Sequence, residues 1–120
     1  MDIHIQRAYD DPGPDDGYRV LVDRVWPRGR SKQQLALDAW AKDLAPGTAL
    51  RQWFGHRPQR WDAFRPRYRA ELATAAAQEQ MHALRAAAGR GPLTLVYGAR
   101  DETHNQAVVL REALRELARR

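Results

Sequence analysis

Alternating apolar and polar residues near the start of the chain predict a strand over residues 3–9. Residues 10–17 are rich in Asp, Pro and Gly, which is typical of a surface loop. A second strand is predicted over residues 18–26, and its nearly continuous apolar centre at residues 20–22 indicates burial on both faces. A further strand is predicted over residues 93–97.

Most of the remaining chain has apolar residues at helical spacing. Ser31 is predicted to cap a short helix through residue 37, and Thr48 to cap another helix. Pro58 suits the first position of a long helix, while Pro66 lacks an amide, so we expect a kink there. Helices are predicted over residues 49–54, from residue 58 onward with residues 73–88 continuing as helix in one or two pieces, and over about 104–118.

Strands separated by helices predict a mostly parallel sheet. Residues 38–45 are ambiguous, because a strand and a short helix fit them almost equally well. Thr103 and Gln106 have the spacing of a capping box for the last helix. We therefore expect one α/β domain over residues 1–120, with a small sheet of three or four strands flanked by helices in a Rossmann-like layered fold.

Composition narrows the functional classes. The chain contains no cysteine, which excludes disulfides, thiolate metal sites and a cysteine nucleophile. It has neither a long apolar run nor a signal-peptide pattern, so we expect no membrane span and a cytoplasmic location. The formal net charge is +5, but the cations are spread along the chain, so charge alone supports nucleic-acid binding only weakly.

A group of cations without nearby acidic neighbours follows the second strand. Between Asp23 and Asp38 the chain has no acidic residue. Arginine offers a planar fork of donors that suits phosphate or carboxylate, so this turn predicts an anion site. Trp26 either belongs to the fold or stacks on a base or sugar. The candidate ligand-binding residues of the turn are Arg24, Trp26, Arg28, Gly29 and Arg30.

A second polar loop follows the strand that ends at Tyr97. If this strand and the second one are parallel neighbours, both loops open at the same edge of the sheet. His104 is the candidate catalytic acid or base, with Asp101 as the catalytic residue that orients it. The competing interpretation is a surface histidine in a first helical turn. Tyr97 and Asn105 are candidate ligand-binding residues, although Asn105 also suits the loop backbone.

Two cations from the middle of the chain, Lys42 and Arg51, are further ligand-binding candidates, with a solvated helix face as the alternative. The chain has neither a phosphate-loop motif nor a dinucleotide fingerprint, so no cofactor is expected. Its histidines never occur at the spacing of three or four that a helical metal site needs, so no metal site is expected. Ser31, the single serine, lacks the surroundings of a nucleophile.

Several segments together resemble the bacterial YeaO-like proteins, a small cytoplasmic family of unknown function. They are residues 16–29, 40–46, 50–56, 68–72 and 93–97, with Phe64, His104 and Asn105. The resemblance spans nearly the whole chain and implies a compact α/β fold with a parallel sheet, without an established reaction or ligand. The chain departs from the family pattern at Gly98, where Ala is frequent, and at Gln106, where His is frequent.

Three functional hypotheses follow from the residues. The first is a small hydrolase or transferase acting on a phosphate-bearing ligand such as a nucleotide, with Arg24, Arg28 and Arg51 on the anion and His104 as acid or base. The second is a non-catalytic nucleic-acid or nucleotide-sensing module, in which the basic turn contacts phosphate and Trp26 stacks. The third is a protein-interaction module with exposed tryptophans. The sequence leaves the oligomeric state open.

Overall fold

The sheet is entirely parallel, with the strand order β1-β4-β2-β3, in a computed structural model that describes residues 2–119. The strands are β1 (Ile3–Arg7), β2 (Tyr18–Leu21), β3 (Ala39–Trp40) and β4 (Leu93–Tyr97). The helices are α1 (Lys32–Leu35), α2 (Thr48–Phe54), α3 (Trp61–Leu72), α4 (Ala75–Ala88) and α5 (Gln106–Ala118). The predicted α/β layout with a small parallel sheet is confirmed.

The central strand is β4, and all of its residues are buried. It pairs with β1 on one side and with β2 on the other, so that Leu93 lies opposite both Ile3 and Tyr18. Its side chains reach cores on both faces of the sheet: Leu95 packs in the larger one and Val96 in the smaller one. Burial on both faces explains why this strand is apolar without alternation, apart from Thr94, whose hydroxyl donates to the carbonyl of Asp16.

The larger core lies between the sheet and α2 to α5. Phe54, Phe64 and Tyr68 fill its middle, while Leu110 and Leu114 of α5 pack against the strands. The smaller core on the opposite face lies under α1, which contributes Leu35. Within residues 2–119, no helix is both long and apolar enough to cross a membrane.

The second strand is shorter than the sequence predicts. Its ladder ends at Leu21, although the amide of Val22 still donates to the carbonyl of Val96 at 2.9 Å. Residues 23–26 then leave the sheet and form the wall of the polar edge. The ambiguous segment contains both predicted alternatives, because the two-residue strand β3 is followed by a 3₁₀ turn over Lys42–Leu44.

Several predicted helix boundaries are wrong. Asn105, not the Thr103 and Gln106 pair, caps α5, since its Oδ1 accepts from the amides of Ala107 and Val108 at 2.9 and 3.3 Å. The last helix therefore starts two residues later than predicted, at Gln106.

The other boundaries differ because backbone geometry decides them. Thr48 lies inside α2, and Gly47 occupies the cap position. Pro58 begins a 3₁₀ turn that leads into α3. That helix continues through Pro66, and the break between helices comes later, where Thr74 caps α4.

A buried arginine joins β2 to the surrounding loops. Only 4% of Arg19 is exposed, and its guanidinium forms an ion pair with Asp16 at 2.6 Å. The same group donates to the carbonyl of Leu35 and to the side chain of Gln6. Because a buried cation needs partners for its donors, this arginine serves the fold and is not available to a ligand.

Two glycines with positive φ provide a test of the strand arrangement. Gly17 has a φ of +67°, and a Cβ added there would lie 2.1 Å from the carbonyl oxygen of Pro92. Gly29 has a φ of +79° with no atom within 4 Å of an added Cβ. Alanine costs about 1–2 kcal/mol of left-handed strain at either position, but only Gly17→Ala also displaces the start of β4.

We expect Gly17→Ala to lower the free energy of unfolding by at least about 2 kcal/mol more than Gly29→Ala does, as measured by urea denaturation. Equal losses in the two variants would contradict the close approach between this loop and Pro92.

Candidate functional site

The carboxyl ends of β2 and β4 lie side by side, because these strands are parallel neighbours. The predicted site requires β2 and β4 to be parallel neighbours, and the structure confirms this arrangement. An open cavity of about 240 Å³ lies at this edge. Its charged and polar side chains are Asp23, Arg24, Arg51, His56 and Gln106. Its aromatic side chains are Tyr9, Trp26, Phe54 and Phe64.

Asp23 is the central polar residue of the cavity. One carboxyl oxygen accepts from the amide of Gly98 at 2.8 Å, and the other accepts from the side-chain amide of Gln106. A Cβ on residue 98 would lie 2.9 Å from this carboxyl, so glycine permits the close approach. Burial raises the pKa of Asp23 to about 6, although both hydrogen bonds and the charge of Arg51 oppose the rise.

Arg24 supports the wall of the cavity. Its guanidinium donates to the carbonyls of Pro46 at 3.2 Å and Ala45 at 3.3 Å. The same segment is fixed on its other side, where the Tyr68 hydroxyl donates to the Leu44 carbonyl at 2.6 Å. Part of the donor capacity of Arg24 is therefore used by the backbone, while its charge still faces the cavity.

Arg51 is a cation of the cavity lining whose side chain is unpaired within residues 2–119. It extends from α2 and is exposed, and its guanidinium forms no hydrogen bond or ion pair within residues 2–119, although its charge acts on Asp23. His56 follows the end of the same helix with a φ of +57°, and its ring lies 6.3 Å from that of Phe54. Both side chains face the cavity, and the unpaired guanidinium is suited to an incoming anion.

The basic turn contributes fewer groups to the cavity than the sequence suggests. Arg24 and Trp26 line it, whereas Arg28, Gly29 and Arg30 do not. The guanidinium of Arg30 donates to the carbonyl of Ala8 at 2.8 Å. Arg28 and Gly29 are exposed, and the carbonyl of Arg28 accepts from the Tyr9 hydroxyl at 2.9 Å.

Trp26 has a fixed orientation at the cavity. Its indole N–H donates to the carbonyl of Arg30 at 2.6 Å, and its ring meets Trp40 edge-on with the centroids 5.5 Å apart. Lys42 lies over the Trp40 ring, 4.7 Å from its centroid, and outside the cavity lining.

Tyr97 and Asn105 lie below the cavity edge. Both are buried, and neither lines the cavity. Asn105 uses its carbonyl oxygen to cap α5 and its amide to donate to the carbonyl of Asp101 at 2.8 Å. The structure thus uses the Asn105 side chain to hold the loop and the helix start, and it places Tyr97 in the larger core.

The structure brings His104 and Asp101 together outside the cavity lining. Nδ1 of His104 lies 3.0 Å from a carboxyl oxygen of Asp101. Hydrogen bonds from the amides of Thr103 and His104 help to lower the pKa of Asp101 to about 2. The imidazole meets the edge of Trp61 at 5.3 Å, and Trp61 stacks on Phe64 of the cavity wall. The rings of Trp61 and Phe64 therefore lie in sequence between this pair and the cavity.

Of the charged and polar side chains that line the cavity, three were absent from the predicted site: Asp23, His56 and Gln106. Asp23 carries the clearest signal, since it directly follows a buried strand whose carboxyl end meets the site edge. Gln106 becomes a partner of Asp23 only through the packing of α5. Within residues 2–119, no group of three His, Asp or Glu side chains is arranged to hold a metal ion.

The fold and this edge define a small α/β protein with a mixed polar and aromatic cavity. The chain belongs to the family described as the inactive DUF488-N3 subclade, whose sequence profile matches residues 2–120. It is 45% identical over 119 residues to the uncharacterized protein YeaO of Escherichia coli (strain K12), covering 98% of this chain and 100% of that protein. The predicted YeaO-like membership is confirmed.

Mycobacterial relatives match over nearly the same length. The uncharacterized proteins Mb3100c of Mycobacterium bovis and Rv3073c of Mycobacterium tuberculosis are each 42% identical over 112 residues, covering 93% of this chain and 92% of each relative. No solved structure matches the chain.

The raised pKa of Asp23 gives a prediction for stability. Because its pKa is 3.8 in the ordinary case and about 6 in the fold, the folded state binds this proton more tightly than the unfolded chain. The resulting stabilisation is complete below about pH 4 and is lost as the pH rises through about 6.

Asp23→Asn removes this effect and can keep both hydrogen bonds if the Gln106 amide turns over. Between pH 4 and 7, the unfolding free energy of the wild type should fall by about 2 kcal/mol relative to the variant. Urea denaturation at both pH values measures the difference. If the difference in unfolding free energy between wild type and variant is the same at pH 4 and pH 7, the Asp23 carboxyl titrates like an exposed one, and the prediction is wrong.

Proposed function

We propose that this chain is a non-catalytic binding module for a small phosphate-bearing ligand, which it holds in the cavity at the carboxyl edge of β2 and β4. The observation that carries the proposal is the unpaired guanidinium of Arg51 at a cavity that Arg24 and His56 also line. Three basic side chains against one carboxyl, Asp23, favour an anion there.

The size of the cavity favours a metabolite over a macromolecule. Pockets for drug-sized ligands enclose about 300–1,000 Å³, and this cavity encloses about 240 Å³. The exposed cations of the basic turn, such as Arg28, lie outside it. A long nucleic-acid strand would need a continuous basic groove, whereas this cavity suits one small anion.

The family description supports binding without turnover. The matching subclade is described as inactive, and the relatives carry no described reaction. A binding module needs a positioned charge and a shaped cavity, and both are supplied here by residues whose backbone is held by the sheet edge and by α2.

A hydrolase or transferase is the second candidate, and one observation favours it. Asp23 has a pKa of about 6 and faces the cavity, so it is suited to donate or accept a proton near neutrality. The predicted acid or base His104, oriented by Asp101, is adjacent through Trp61 and would need to turn toward the cavity to touch a ligand.

Arg51→Ala tests the binding proposal. We expect the wild type to bind ribose 5-phosphate in isothermal titration calorimetry, and the variant to bind it at least tenfold more weakly, because a charge-assisted pair is worth about 1.5–3 kcal/mol. Arg90→Ala is the matched control: it removes the same charge from the loop before β4, far from the carboxyl edge, and should change affinity less than twofold. No heat of binding with the wild type, or equal loss in both variants, would refute the proposal.

Turnover distinguishes the two candidates. We expect the wild type to release neither phosphate nor base from nucleoside 5′-monophosphates above the buffer rate, as followed by phosphate assay and chromatography. A measurable rate that falls at least 100-fold in both Asp23→Asn and His104→Ala would establish the catalytic alternative instead.

A further inference from the structure

We infer that the ligand is a nucleoside monophosphate whose base presents N–H donors to Asp23, while its phosphate lies against Arg51. This inference rests on the proposed function and adds the class of ligand. It comes from two groups of opposite charge, Asp23 and Arg51, that face one cavity, which aromatic side chains also line.

Asp23 and Arg51 require different chemistry from one ligand. The ion pairs of the described residues do not join these two side chains, so they lie beyond 4 Å of each other. An anion placed against the carboxylate of Asp23 would be repelled, and an anion placed against Arg51 would be attracted. The phosphate therefore belongs at Arg51, and the part of the ligand that reaches Asp23 must donate hydrogen bonds.

The carboxyl of Asp23 still has acceptor capacity. Within residues 2–119, one of its oxygens accepts from the amide of Gly98 and the other from the side-chain amide of Gln106. An ionised carboxylate offers about four acceptor positions, so further N–H groups from the cavity side can be bound. Gly98 and Gln106 hold the carboxyl in place and thereby set the direction from which a ligand must approach.

The walls favour a flat, neutral ring over an ammonium group. Phe54 and Phe64 stack with centroids 4.3 Å apart, and together with Trp26 they contribute aromatic side chains to the cavity lining. Desolvating a full positive charge among such side chains is costly, whereas a heterocycle with N–H groups buries apolar faces and keeps its donors in the ring plane. Arg51 is exposed and Asp23 is partly buried, so the base enters and the phosphate stays at the mouth.

A pair of matched nucleotides tests the inference. Guanosine 5′-monophosphate carries N–H donors on its base, and purine riboside 5′-monophosphate has the same ring system and phosphate without them. We expect the wild type to bind the first at least tenfold more tightly in calorimetry, because hydrogen bonds to a charged group are worth about 1.5–3 kcal/mol.

The variants separate the two ends of the ligand. Asp23→Asn should reduce the preference between the nucleotides at least threefold, since a neutral amide oxygen is a weaker acceptor, and should not weaken the binding of ribose 5-phosphate, because it removes a negative charge from the cavity. Arg51→Ala should weaken both nucleotides by a similar factor and preserve the preference. Far-ultraviolet circular dichroism of each variant shows whether it is folded.

The failures are distinguishable. If both nucleotides and ribose 5-phosphate bind the wild type equally, the base makes no specific contact, and the inference is wrong while the proposed function stands. If none of these phosphate compounds binds, the proposed function fails and the inference fails with it.

Discussion

The carboxyl of Asp23 joins three elements that are distant in sequence. It follows β2, accepts from the amide of Gly98 after β4, and accepts from Gln106 in the first turn of α5. These bonds replace the ladder where β2 leaves the sheet, so the two strand ends separate around a polar group and a cavity opens there. Both positions at which the chain departs from the family pattern it resembles, Gly98 and Gln106, contact this carboxyl.

Helices and strands could be predicted from the sequence where the local pattern of apolar residues agrees with the environment of the element in the fold. β4 is buried throughout and mostly apolar because cores lie on both of its faces, and α5 has an apolar stripe because one face packs on the sheet. The end of β2 and the two-residue β3 were beyond local pattern, since long-range hydrogen bonds decide them. The start of α5 was misplaced because Asn105 and the Thr103 and Gln106 pair are competing caps, and only the loop path selects between them.

The residue types predicted which edge of the sheet holds the site. They did not predict which arginines bind other parts of the protein and which remain available to a ligand. Arg19, Arg24 and Arg30 are chemically alike, yet the first is buried in an ion pair and the other two donate to backbone carbonyls. Arg51 differs because α2 directs it toward the cavity, and its guanidinium has no hydrogen bond or ion pair within residues 2–119. Which guanidinium remains available for a ligand therefore depends on whether a backbone carbonyl from a distant segment lies within hydrogen-bond distance of it. That distance cannot be predicted from a single sequence.

The position of β4 in the sheet also governs how the chain acquires its fold. β1 and β2 are separated by β4, so neither has its main partner until about ninety residues of chain have followed Ile3, which pairs with Leu93. During synthesis on the ribosome, the edges of β1 and β2 that pair with β4 remain unpaired until β4 has been synthesised. Such long-range pairing slows folding and exposes apolar strands to association with other chains. The loop between β1 and β2 is rich in aspartate and proline, which do not favour strand pairing. It therefore places charge next to the two unpaired strands and disfavours their association with other chains.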